Sequence, residues 1–162
     1  MENCDVLLRV YNDFVNKNLD VNNIEDKIII QKIVFLLGEL GVKIGNYKFV
    51  LDKFGPFSQS LHNEITLITE NNSPFTGTFS EQVMEVMTYL KQLLDKQEET
   101  SYNLREWLEV VATFLFLKQY MYPSFEWDSI NTIVMDIKKH LNDKQSNEQA
   151  IYYCQELLNY RT

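Results

Sequence analysis

The sequence predicts a mainly α, single-domain helical bundle of about seven helices, covering residues 1–162, with one small β element. Three observations carry this expectation. Apolar residues recur at three- and four-residue spacing along most of the chain. Capping residues stand just ahead of these runs, at Asn23, Ser58, Ser80 and Asn103. Only one stretch, "NYKFVLDKF" at 46–54, alternates with a period of two. A chain of 162 residues is long enough to bury one core without staples.

Val6, Leu7, Val10, Tyr11 and Phe14 form the stripe of a first helix over 3–17, ended by the turn-forming "NKNLDVNN". "NIED" sets a cap three residues before an acid and opens a second helix. Its body, "KIIIQKIVFLLGEL", is apolar nearly all round, as in a central buried helix, and Gly41 stops it. In the strand over 46–54, Tyr47, Phe49 and Leu51 share one side, with Lys48, Val50 and Asp52 on the other. Gly55-Pro56 ends it, because proline donates no ladder bond. A pairing strand is expected from 42–45 or from the 74–79 loop.

Ser58 caps a helix over 58–71 with Leu61, Ile65 and Ile68 inward. After the loop "ENNSPFTGTF", Ser80 caps a helix over 80–97. Asn103 and Glu106 make a capping box before "WLEVVATFLFLKQYM". Asp128 or Ser129 opens a sixth helix over 129–141, and Ser146 with Gln149 caps a seventh. Repeats, low-complexity tracts and linkers are absent from the sequence.

The chemistry is read by elimination. His62 and His140 lie on different helices without metal-ligand spacing, so no metal is expected. Cys154 sits in an amphipathic run as a packing residue, and no GxSxG elbow accompanies it. Five glycines, at 38, 41, 45, 55 and 77, write neither GxGxxG nor a P-loop. The sequence therefore predicts no enzyme and no cofactor. Cys4 and Cys154 fit either a terminal disulfide or two thiols in a reducing cytosol. The start, "MENCDVLLRV", lacks a signal-peptide pattern, and "VVATFLFL" is too short for a span. A cytoplasmic location is the expectation.

A formal net charge of −8 disfavours duplex DNA and favours a protein partner with a basic surface. The junction "DKFGPFSQSLHNEI" admits three readings: a turn in which Phe54 and Phe57 clamp helix against strand, an anion site at a helix start, or a partner surface. The partner surface comprises Tyr47, Phe49, Phe54, Gly55, Pro56, Phe57 and Ser58. Nucleic acid is disfavoured there because "SQSLHNEITLITEN" holds no lysine or arginine. The oligomeric state is open, a homodimer included.

The runs "IIIQKIVFLLGELG" and "YKFVLDKFGPFSQSLHNEI" resemble the bacterial YwgA-like family, as do "WLEVVATFLFL" and "KKHLNDKQSNEQAIYYCQELL". More distantly the chain resembles the SocA-like, or Panacea, antitoxin domain. The positions matching the motif are Gln31, Lys32, Tyr47, Phe49, Gly55, Pro56, Phe57 and Ser58. The resemblance implies a bacterial or phage protein that binds and neutralises a partner, as an antitoxin or an inhibitor of a host defence factor. The alternative is a winged-helix-like DNA-binding regulator, although the sequence offers no basic β-hairpin for it.

Overall fold

The computed structural model describes residues 3–161. Its elements in order are α1 (Cys4–Val15), α2 (Ile24–Glu39), β1 (Val50–Asp52), β2 (Gly55–Phe57), α3 (Gln59–Thr66), α4 (Glu81–Asp95), α5 (Leu104–Phe116), α6 (Trp127–Ile137) and α7 (Lys144–Tyr160). A 3-10 turn, Lys96–Glu99, prolongs α4, and a π turn, Leu117–Met121, prolongs α5. The described residues form seven α-helices and a short two-stranded hairpin placed before α3, the mainly helical single domain that the sequence predicts. No helix among the described residues is long and apolar enough to cross a membrane.

The core is built on α2 and α5, which pack along each other, with α7 on the other side of α5. Ile30, Ile33, Leu36 and Leu37 of α2 are fully buried, as are Trp107, Leu108, Val110, Val111 and Phe114 of α5. Two apolar helices at the centre remove most of their surface from water, and that burial is the main driving force for the fold. Local sequence fixes their ends. The Asn23 side chain accepts from the Asp26 amide, Gly41 takes φ 93°, and the Asn103–Glu106 box is formed in both directions.

Several boundaries differ from expectation. Only Val50–Asp52 of the predicted 46–54 strand is in a ladder, and its partner is Gly55–Phe57, not 42–45 or 74–79. The turn is therefore Lys53-Phe54, and Gly55-Pro56 lies within the second strand instead of ending the first. Proline is tolerated because both strands of a two-stranded sheet are edges. The first helix stops at Val15, where Asn16 turns left-handed at φ 63°. The 58–71 helix ends at Thr66, and Ile68 is buried beyond it. The 80–97 helix ends at Asp95. The sixth helix starts at Trp127 after Glu126 and ends at Ile137, so Asp128 and Ser129 lie inside it. Asp143, not Ser146, caps the seventh, accepting from the Ser146 amide at 2.9 Å. Cys4 and Cys154 are both buried, and no disulfide joins them.

Gly55 has a specific reason to be glycine. Its φ is +95°, and a Cβ there would stand 2.9 Å from Thr113 Oγ1 and 3.1 Å from Lys32 Cε. The hairpin thus sits directly on α2 and α5. Replacing Gly55 with alanine should lower stability by about 1–3 kcal/mol, because strained backbone and steric contact act together. Urea unfolding of G55A measures it, and an unchanged midpoint would refute the close approach.

Candidate functional site

Two regions around the hairpin combine polar chemistry with restricted access: a sealed ionic cluster beneath it, and an open aromatic groove beside the segment leading into it.

The cluster arises because two apolar helices each carry polar groups on the face turned toward the hairpin. From α2, Gln31 grips Ser58 twice: its Nε2 donates to the Ser58 carbonyl at 3.0 Å, and its Oε1 accepts from the Ser58 amide at 3.0 Å. The next residue, Lys32, donates from Nζ to the Pro56 carbonyl at 3.1 Å. From the end of α6, Lys138 donates to the carbonyls of Asp52 and Lys53. The hairpin carbonyls held by these two lysines come from the end of β1, the turn and β2.

The counter-charge is Glu109 of α5, whose side chain is wholly buried. Its Oε2 lies 2.9 Å from His140 Nε2 and 3.8 Å from Lys138 Nζ. Its Oε1 makes no hydrogen bond and faces the Arg105 guanidinium at 3.5 Å. Arg105 in turn reaches Glu25 at 3.0 Å and lies over the Phe54 ring. Buried cations need such a partner, since leaving them uncompensated costs several kcal/mol. Burial pushes Lys32 down to about 7, against the opposing pull of Glu109. Burial likewise lowers Lys138, again opposed by Glu109.

The cluster is a fastening. Lys32 is 1% exposed, its ammonium is bonded to a backbone carbonyl, and Gly55 covers it. A catalytic lysine needs room for a substrate at Nζ. No group of three or more metal-binding side chains occurs among the described residues.

The groove is different. It encloses about 700 Å³ between the second half of α2, the chain from Gly41 to Phe49, and the end of α5 with its π turn. That volume suits a small ligand or a peptide side chain cluster. Phe35, Phe49, Phe116 and Tyr120 supply its apolar wall, with Phe35 and Phe49 edge to face at 5.2 Å. Lys43, Lys48 and Arg161 supply cations, against the single carboxylate of Glu39. Arg161 NH1 lies 3.4 Å from Glu39 Oε2. Burial and a hydrogen bond to Glu39 push Tyr120 up to about 12, so it stays a neutral donor.

The predicted partner residues fall into three sets. Tyr47 and Phe49 are half-buried and line the groove. Gly55, Pro56 and Ser58 are buried and serve the fastening, so no partner can reach them directly. Phe54 and Phe57 are half-buried. Phe57 lies against His62 of α3, and Phe54 lies beneath the Arg105 guanidinium of α5. Two amides that an anion at the start of α3 would use are already taken, since Ser58 Oγ accepts from the Leu61 amide and Gln31 Oε1 accepts from the Ser58 amide.

Sequence reading missed Glu109, Arg105, Lys138 and His140. A usable signal existed for the first: a lone acid in "WLEVVATFLFL" and a lone lysine in "IIIQKIVF" are opposite charges in the two most apolar helices. Buried charges of this kind are almost always paired. No family model, curated protein or solved structure matches the chain.

Lys32 yields a pH prediction. Its folded value lies below its unfolded one, so between about pH 7 and 10.5 the unfolded chain holds the extra proton. Stability from this group therefore rises with pH across that window. Urea midpoints of wild type should climb between about pH 6.5 and 9, and the climb should be shallower in K32M. Parallel curves would mean that Lys32 is not buried as a titrating cation.

Proposed function

We propose that the chain is a non-enzymatic protein-binding module that sequesters or inhibits its partner by holding part of it in the aromatic groove. The observation that carries this reading is the groove itself. It is open, apolar along its walls and cationic at its margin, and it contains two of the residues that the sequence marks for partner contact, Tyr47 and Phe49. Aromatic anchors in a partly desolvated recess are the usual source of affinity in such contacts. The likeness to antitoxin domains supports the same reading and gives the docking a purpose, occupation of a partner's working surface.

Net charge and local charge point to different partners. The value of −8 favours a basic surface at long range. Lys43, Lys48 and Arg161 outnumber Glu39 at the groove, which favours carboxylates on the segment that enters it. Contact energies are decided at short range, so the groove's own charges take precedence. The alternative of a DNA-binding regulator is less well supported, because α3 carries neither lysine nor arginine to anchor phosphates.

Photo-crosslinking tests the proposal. A photoreactive phenylalanine analogue at position 48, introduced in the native host, should give a discrete protein adduct that the same analogue at exposed position 82 on α4 does not. The adduct should fall about tenfold when Phe49 is changed to alanine, the loss of one good anchor. Lys43→Glu should also weaken it. Equal labelling at both positions, or an adduct indifferent to both substitutions, would overturn the reading.

A further inference from the structure

The chain leading into β1 continues the strand without its ladder. From Asn46 to Asp52 exposure alternates residue by residue, with Tyr47, Phe49 and Leu51 half-buried and Asn46, Lys48, Val50 and Asp52 exposed. This is the side-chain period of an extended strand. Yet only Val50–Asp52 meets β2, because the chain after Phe57 turns into the cap of α3. Among the described residues, no backbone N–H or C=O from Lys43 to Lys48 is bonded to another backbone or side-chain group. The last such bond before β1 is from the Val42 amide to the Leu37 carbonyl.

The segment is nonetheless held in place. The Tyr47 hydroxyl donates to Glu64 at 2.6 Å, and Asn3 Nδ2 donates to that hydroxyl at 3.3 Å. A Cβ on Gly45 would stand 2.9 Å from the Tyr47 ring. Phe49 is fixed against Phe35. These contacts use side chains only. They present a fixed backbone, bent at Ile44 and Gly45 and extended from Asn46 onward, with open hydrogen-bonding capacity along one wall of the groove.

From this juxtaposition we infer that the groove receives an extended segment of another protein as an added β-strand, paired to residues 46–49 and alternating apolar with acidic side chains. The inference rests on the groove reading above and adds the mode of binding and the chemistry of the segment. A strand added here satisfies the open backbone groups, and its alternate side chains divide between two environments. Those turned inward meet Phe35, Phe49 and Phe116, and those turned outward meet Lys43 and Lys48. Carboxylates suit the outward positions. A second copy of this chain does not, because its own Lys43 and Lys48 would be brought to the same edge, and like charges across a strand pair are unfavourable.

The test uses a capped synthetic peptide alternating aspartate with valine, titrated into the full chain. Hydrogen–deuterium exchange should slow at the amides of 46–49. N-methylation of the peptide amides on one edge should weaken binding about tenfold, the loss of one or two backbone hydrogen bonds. A peptide alternating lysine with valine should give no protection. Binding at the groove that ignores N-methylation, or leaves 46–49 unprotected, overturns strand addition and leaves groove docking standing. No perturbation of Phe35 or Phe49 at about millimolar peptide removes both. Protection of the same amides by protein concentration alone would give the edge to a second copy and also overturn the proposal.

Discussion

A lysine ammonium bonded to a proline carbonyl inside the protein is the constraint on which the rest of the hairpin depends. Lys32 emerges from the central, largely buried helix α2, at a point where an ammonium has no access to water. The carbonyl of Pro56 gives it a hydrogen-bond acceptor and Glu109 opposes its charge. Because proline has no amide hydrogen, Pro56 meets the helix only as an acceptor. Gln31, one residue earlier, completes the fastening by pairing with both backbone groups of Ser58. The start of α3 is thereby fixed to the same helix as β2.

Burying several charges in one place is costly unless each is paired, and here the pairing is shared. Glu109 faces Arg105, Lys138 and His140 at once, so the one carboxylate serves three helix ends and turns. Arg105 passes the network outward to Glu25 at the start of α2. The hairpin is consequently tied to α2, α5 and α6 together. A purely apolar contact of the same area would hold it without specifying its register. The backbone carbonyls that these lysines grip do specify it.

That fixed hairpin also explains the groove. The chain between α2 and β1 is short, and both of its ends are anchored, by the Gly41 turn and by the ladder at Val50. From Lys43 to Lys48 it passes Phe35 of α2 with no backbone bond to another described residue. The same physical economy that makes the hairpin rigid leaves its lead-in strand open. The chemistry of the groove follows from residues on three separate segments, so its local charge is independent of the strongly acidic average.

Much of the architecture is written locally. Capping side chains at Asn23, Ser58, Ser80 and Asn103 act within three residues of where they stand, so the sequence determined the starts of four helices. The alternation of 46–52 and the central place of α2 are equally local, since each is a periodicity of adjacent residues. Helix ends were less legible, because fraying residues such as those after Thr66 and Ile137 depend on what packs against them. The partner of β1 was missed because a proline read in isolation ends a strand, whereas an edge accommodates it. The tertiary structure alone decided which charges meet. Lys32 and Glu109 lie far apart in the chain, and no local pattern records that two apolar helices turn those particular faces toward one hairpin. Local sequence sets backbone conformation, whereas long-range packing sets the electrostatic company each side chain keeps.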